Sequence, residues 1–232
     1  MKNLFKYSMV AAAAIALAGS VQAIPTLVVT DGSGISQIKT DASGVVTIST
    51  SDAQWSVVVS TGISSPPALG QGTAQEPVMD LSITATYIGN GSAGNPLTIS
   101  FGADAFGPTV GNVIATLTGH VVSGTGNAVG FTTIASGTSA LPTTGTPIIS
   151  GQTLTGPASI ANVGGTYGYI ATGGPLNFTS YSLDEVVTLT GNAGGSSYSI
   201  DASLVTAPDG GMTLVLLGSA LSGLALIKRK LA

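Results

Sequence analysis

The strongest constraint on this chain is a period of two. Between Val78 and Ile88, the apolar residues Leu81, Ile83, Ala85 and Tyr87 alternate with Ser82, Thr84 and Thr86. Residues Tyr198 to Leu204 repeat the pattern, with Tyr198, Ile200, Ala202 and Leu204 opposite Ser199, Asp201 and Ser203. Successive side chains of a strand point to opposite faces, so each segment turns an apolar face inward and a hydroxyl face outward. No stretch between Ile24 and Leu204 keeps a helical period for three turns, and short alternating runs are separated by Gly, Pro, Asn, Asp and Ser. That pattern predicts an all-β domain. The clearest strands are Val45–Thr50, Trp55–Ser60, Val78–Ile88, Leu97–Phe101, Val113–Val122, Glu185–Thr190 and Tyr198–Leu204. A spacing near ten residues per strand favours an antiparallel two-sheet sandwich of eight to eleven strands, with a closed barrel as the alternative. An outer-membrane barrel fits less well, because aromatic girdles are missing. Thr61–Pro77 and Ser136–Pro147, rich in Pro, Gly and hydroxyls, read as surface loops. No fixed-period repeat suggests a solenoid or propeller.

The ends of the chain are addresses. Lys2 and Lys6 precede an apolar run from Met9 to Gly19, and Val21-Gln22-Ala23 supplies small residues for a signal peptidase. Residues 1–23 therefore read as a signal helix cleaved between Ala23 and Ile24. A permanent N-terminal anchor would need about 20 apolar residues, more than this run has. At the other end, residues 212–227 carry no charge and are followed by Lys228, Arg229 and Lys230. A helix of that length rises roughly 24 Å and, with its lysines snorkelling, just spans a bilayer. The basic cluster acts as a cytoplasmic stop and puts the domain, residues 24–206, on the outer side. A buried core helix is the alternative, but no polar face breaks the run.

The order Ala207-Pro208-Asp209-Gly210-Gly211, apolar span, basic end resembles the sorting tails of exosortase substrates. These are the PEP-CTERM group, and the VPDSG-CTERM variant in particular, which usually has Val at the position of Ala207 and Ser at that of Gly210. The resemblance implies a sorting motif at Pro208, Asp209, Gly210 and Gly211, cleavage near Pro208-Asp209 by an exosortase-type protease, and transient residence in the inner membrane. Release to the cell surface or extracellular matrix would follow. Without such a protease, residues 207–232 would leave a single-span surface protein. The arrangement of Trp55 with Val57-Val58-Val59, Pro77-Val78-Met79-Asp80-Leu81 and Tyr181-Ser182-Leu183 before Glu185 to Thr190 also resembles PEP-CTERM-tailed surface proteins without an assigned activity.

Composition excludes several chemistries. With no cysteine, the chain has neither disulfides nor a thiolate zinc site. Its ten acids all lie between Ile24 and Asp209, where Lys39 is the only base, so nucleic acid is not an expected partner. No serine occupies a G-x-S-x-G elbow. The single histidine, His120, falls on the hydroxyl side of its strand and reads as solvated. Asp184 and Glu185 are adjacent, hence on opposite faces, and make a poor acid/base pair; pairs formed only by folding, such as Asp80 with Asp104, stay open.

Gly89-Asn90-Gly91-Ser92-Ala93-Gly94 fits G-x-G-x-x-G but leads into a strand, so it reads as a turn. Asp31-Gly32-Ser33-Gly34 and Asp41-Ala42-Ser43-Gly44 match no EF-hand or RTX loop; no cofactor is expected, with calcium the one candidate. Tyr167 and Tyr169 share a face and would form a sugar-stacking platform if exposed, or edge packing of the sandwich if not.

These features point to a non-enzymatic cell-surface or extracellular-matrix protein. The alternatives are a polysaccharide-binding or adhesion module and a secreted hydrolase. Exposed coplanar tyrosines would favour binding, two carboxyls about 5–9 Å apart in a cleft would favour hydrolysis, and a plain hydroxyl surface would leave the structural role.

Overall fold

The computed structural model describes residues 24–63, 77–89, 94–106, 109–121, 128–137, 152–161, 165–178, 181–191 and 195–208. The signal helix, the apolar span and most of both expected loops lie outside the described residues. Within them the chain forms twelve strands and no helix. In chain order these are β1 (Pro25–Thr30), β2 (Ser36–Thr40), β3 (Thr47–Ser51), β4 (Trp55–Ile63), β5 (Val78–Tyr87) and β6 (Leu97–Phe106). The second half contributes β7 (Thr109–Val121), β8 (Ala128–Ser136), β9 (Gln152–Ala161), β10 (Gly165–Phe178), β11 (Tyr181–Thr190) and β12 (Ser196–Pro208). All pairings are antiparallel, in two six-stranded sheets ordered β2-β1-β6-β11-β8-β9 and β10-β7-β12-β5-β4-β3. The two-sheet sandwich is thus as expected, with one strand more than the upper count.

The strands without a clear sequence signal have physical reasons for it. All six residues of β1 are buried or nearly so, all five of β2 are exposed and the last four of β8 are buried, so none of the three alternates along its length. Pro157 interrupts β9 and Pro175 interrupts β10, and each strand is the outermost of its sheet. Proline cannot donate to a ladder and is tolerated at such an edge. In β10 the register shifts between Gly173 and Leu176, and Gly174 takes a φ of 114° there, which a side chain rarely adopts.

One apolar core joins the sheets: Leu27, Leu97, Phe101, Phe131 and Leu189 from the first meet Trp55, Leu81, Leu117, Tyr198 and Leu204 from the second. At one end, Trp55 lies edge-on to Tyr87 at 5.1 Å between centroids and tilted to Tyr198 at 6.0 Å. The indole donates to the Asn95 carbonyl at 3.0 Å and the Tyr198 hydroxyl to the Thr190 carbonyl at 2.7 Å. Three glycines close on the Tyr87 ring: a Cβ at Gly89, Gly94 or Gly191 would sit within 2.4–2.6 Å of it. Part of the glycine content is therefore packing space for one aromatic ring.

Candidate functional site

The two sheets differ on their outer sides. In the first sheet much of the outer side is buried: Val28, Ser100, Ser182, Asp184, Ile134 and Ser136 are all at most 7% exposed. In the second sheet the register lays out open rows of polar groups. One row runs Thr47, Ser60, Ser82, Asp201, Thr118, Gly168 and the next Ser49, Val58, Thr84, Ser199, His120, Thr166. Most of these residues are exposed, because even-numbered side chains of β4, β5, β7 and β10 as far as Thr172, ahead of its bulge, and odd-numbered ones of β3 and β12 point outward. Hydroxyls bridge strands, Thr86 Oγ1 to Ser197 Oγ at 3.3 Å and Thr116 Oγ1 to Ser203 Oγ.

Two carboxylates interrupt the hydroxyls. Asp80 pairs in register with Ser203 and Asp201 with Ser82, which makes the two aspartates diagonal neighbours on adjacent strands, their backbone positions about 7–8 Å apart. They line a depression of about 380 Å³ with Val45, Ser60, Thr61, Gly62, Leu81 and Ser82. Partial burial, and then the charge of Asp201, pushes the Asp80 carboxyl above its ordinary value of 3.8. Asp80 thus finds its carboxylate neighbour in Asp201. Asp104 lies on the other sheet, where Oδ1 is 3.4 Å from the Ile24 nitrogen.

The other candidates fall as follows. Tyr167 and Tyr169 do share a face, and it is the core side of β10: both are partly buried and pack against the core, with the Tyr167 ring over Gly119. This is the edge-packing arrangement, not an outward-facing platform. His120 is exposed, with Nδ1 3.3 Å from Thr166 Oγ1. Asp184 and Glu185 point to opposite sides of β11, Asp184 accepting from Ser100 Oγ at 2.7 and 2.9 Å.

Asp31 caps its own turn. Its Oδ1 accepts from the amides of Ser33, Gly34 and Ile35, and its Oδ2 from the Ser33 hydroxyl. Burial opposes ionisation, but these bonds outweigh it and hold the carboxyl well below the usual range. Asp41 likewise accepts from the Ser43 amide at 2.8 Å. Among the described residues, no three His, Asp or Glu side chains converge to hold a metal.

Ile24 directly precedes β1. Ala23, Asp209, Gly210, Gly211, Lys228, Arg229 and Lys230 lie outside the described residues, whereas Ala207 and Pro208 extend β12 and pair with Asn112 and Gly111 of β7. The sheet therefore runs two residues past the domain boundary read from the sequence. No described helix is long and apolar enough to cross a membrane.

No protein-family model and no curated protein sequence matches the chain. Among solved structures it is similar to the enzymatically active domain of bacteriophage CBA120 tailspike protein 4, with 11% identity and a TM-score of 0.33 over 70% of this chain and 19% of that one. The chain thus spans about a fifth of the tailspike domain. It is also similar to TmCBM61 in complex with β-1,4-galactotriose, at 12% identity and TM-score 0.30, covering 65% of this chain and 86% of that one. A third is the K1 cleaved adhesin domain of Lys-gingipain from Porphyromonas gingivalis W83, at 16% and 0.36, covering 79% and 99%.

Proposed function

We propose that this chain is an exported, non-enzymatic surface or matrix protein whose second sheet presents a contact face for extracellular polysaccharide. The observation that carries the reading is the open outer face of that sheet, where hydroxyl rows run from strand to strand around the Asp80–Asp201 depression. Strands repeat every 4.7–4.9 Å or so, and each Ser or Thr both donates and accepts. Such a lattice suits a periodic polyol, and carboxylates accept strong hydrogen bonds from sugar hydroxyls. Export rests on the signal segment before Ile24. Release rests on the tail motif Pro208, Asp209, Gly210 and Gly211, with signal peptidase and an exosortase-type protease as processing partners.

Two measurements test this. Co-sedimentation of the mature protein with its host's own extracellular polysaccharide should be weakened on the order of tenfold in Asp80→Asn/Asp201→Asn, the loss of one or two charge-assisted hydrogen bonds. Equal retention of the variant would remove the face from consideration. Intact-mass analysis of envelope and medium fractions, with and without the host's exosortase gene, should show residues 1–23 missing and a gene-dependent loss from about Pro208 onward. A mass retaining residues 212–232 in both strains would leave a permanently anchored surface domain.

A second reading uses the same pair. Asp80, held toward its protonated form beside the Asp201 carboxylate, has the relation of acid to base that glycoside hydrolysis requires. New reducing ends released from the bound polymer by the wild type, and not by Asp80→Asn, would move the assignment to a hydrolase.

A further inference from the structure

Glu185 occupies the place where an unpartnered carboxyl is hardest to keep. It lies on the core side of β11 between the fully buried Leu183 and Val187, and the register sets it against Phe101 of β6 and Thr133 of β8. It is 0% exposed, and among the described residues no group hydrogen-bonds either of its oxygens. Asp184, the next residue back, shows the contrasting solution: equally buried on the other side of the strand, it accepts from the Ser100 hydroxyl. An ionised carboxylate at Glu185 would lose its hydration and receive nothing in exchange, whereas the protonated acid is a neutral group of much smaller cost.

We infer that the two sheets close around a protonated Glu185 and that this proton is a switch built into the core, keeping the sandwich firm in mild acid and loosening it as the medium turns alkaline. The charges near enough to act on Glu185 are those of Asp80, on the outward phase of β5 in the opposite sheet, and of Asp184 on the other side of its own strand, both negative. Lys39, the one Lys or Arg among the described residues, donates to the Thr47 carbonyl, and the single histidine, His120, is exposed on the outer face of β7. Burial first, and then those two charges, therefore raise the carboxyl well above its ordinary 4.5.

The direction of the pH effect follows. Below about 4.5 the folded and the unfolded chain both hold this proton, and Glu185 adds no pH dependence. Above it the unfolded chain releases the proton and the folded chain does not, so each pH unit favours unfolding by up to tenfold until the folded value is reached. Asp31 acts oppositely, since its depressed pKa gives stability that is lost in acid. Asp80 has the same sign as Glu185, so the effect of Glu185 is isolated by a difference between proteins that both keep Asp80. For an exported domain the relevant pH is that of the surroundings.

The test is denaturant unfolding of the full chain and of Glu185→Gln between pH 4 and 9, with infrared spectra at neutral pH. The unfolding constants of the two proteins are expected to converge near pH 4 and to separate by up to tenfold per unit above it, the variant being the more stable. Wild type should also show the carbonyl stretch of a protonated carboxylic acid at pH 7, and that band should survive Asp80→Asn. Curves that stay parallel across the range, or a wild-type spectrum without the band, would overturn the inference. If Glu185→Gln does not fold, the band in Asp80→Asn decides alone: its presence upholds the switch and its absence removes it.

Discussion

The outer side of the first sheet and the outer face of the second are built from similar residues and treated differently. Val28, Ser100 and Ser182 of the first are buried; Val58, Ser82 and Ser199 of the second are exposed. Residue type therefore does not distinguish an open face from a covered one, since serine and valine suit either side of a strand. What distinguishes them is how each polar group is satisfied. Behind the first sheet a carboxylate survives burial because Ser100 donates to it, while on the second Asp80 and Asp201 stand beside an open depression. A face that presents its polar groups to solvent is the one a hydrophilic polymer can reach.

The sharpest way to break this comparison is one substitution made on both faces. Val28→Asp places a carboxylate in a site 1% exposed and is expected to cost several kcal/mol, enough to leave little folded protein, whereas Val58→Asp, 48% exposed, should move stability by no more than about 0.5 kcal/mol. Urea midpoints that shift equally would show the two sides to be alike. Next in size, Ser100→Ala removes a hydroxyl that donates to a buried carboxylate and should cost about 1.5–3 kcal/mol, against a near-zero effect for Ser82→Ala, read from the same titrations.

A pH comparison sharpens it further. Asp31, bonded to three amides and a hydroxyl, contributes stability above about pH 3.8 that disappears as the pH falls toward its lowered value. Asp31→Asn should therefore weaken the fold at pH 6 and flatten its acid-side melting profile, and an unchanged slope between pH 2 and 5 would contradict the turn geometry. The smallest effect belongs to Tyr198→Phe, which loses one hydrogen bond to the Thr190 carbonyl and should cost about 1 kcal/mol in a denaturation experiment.

The sequence discloses half of the candidate site. Asp80 and Asp201 lie on the polar phases of β5 and β12, two of the segments whose alternation is plainest. Nothing in either segment says that the strands are neighbours, because their pairing joins residues more than a hundred positions apart. By sequence alone Asp104 is as open a partner for Asp80 as Asp201 is, and only the order of strands in the sheets separates the two. The strands that escape detection do so for different reasons: β1 is buried on both sides, β2 is exposed on both, β8 loses its alternation where Thr133 to Ser136 are all buried, and β9 and β10 carry mid-strand prolines that an outermost strand tolerates. Tyr167 and Tyr169 illustrate the limit from the other side. Their common face follows from spacing alone, but whether that face meets solvent or core depends on which side of β10 the opposite sheet lies.

The position of β12 has a mechanical consequence. This strand ends the described chain and lies inside its sheet, with ten residue pairs to β5 on one side and eleven to β7 on the other. A domain tethered through Pro208 and pulled along that strand loads both ladders in shear, so that many hydrogen bonds share the force before any gives way. A tether attached at an outermost strand such as β10 would peel it pair by pair under a smaller load. A tether attached beyond Pro208 would grip the domain by one of its most deeply bonded strands, the attachment that resists a steady pull best.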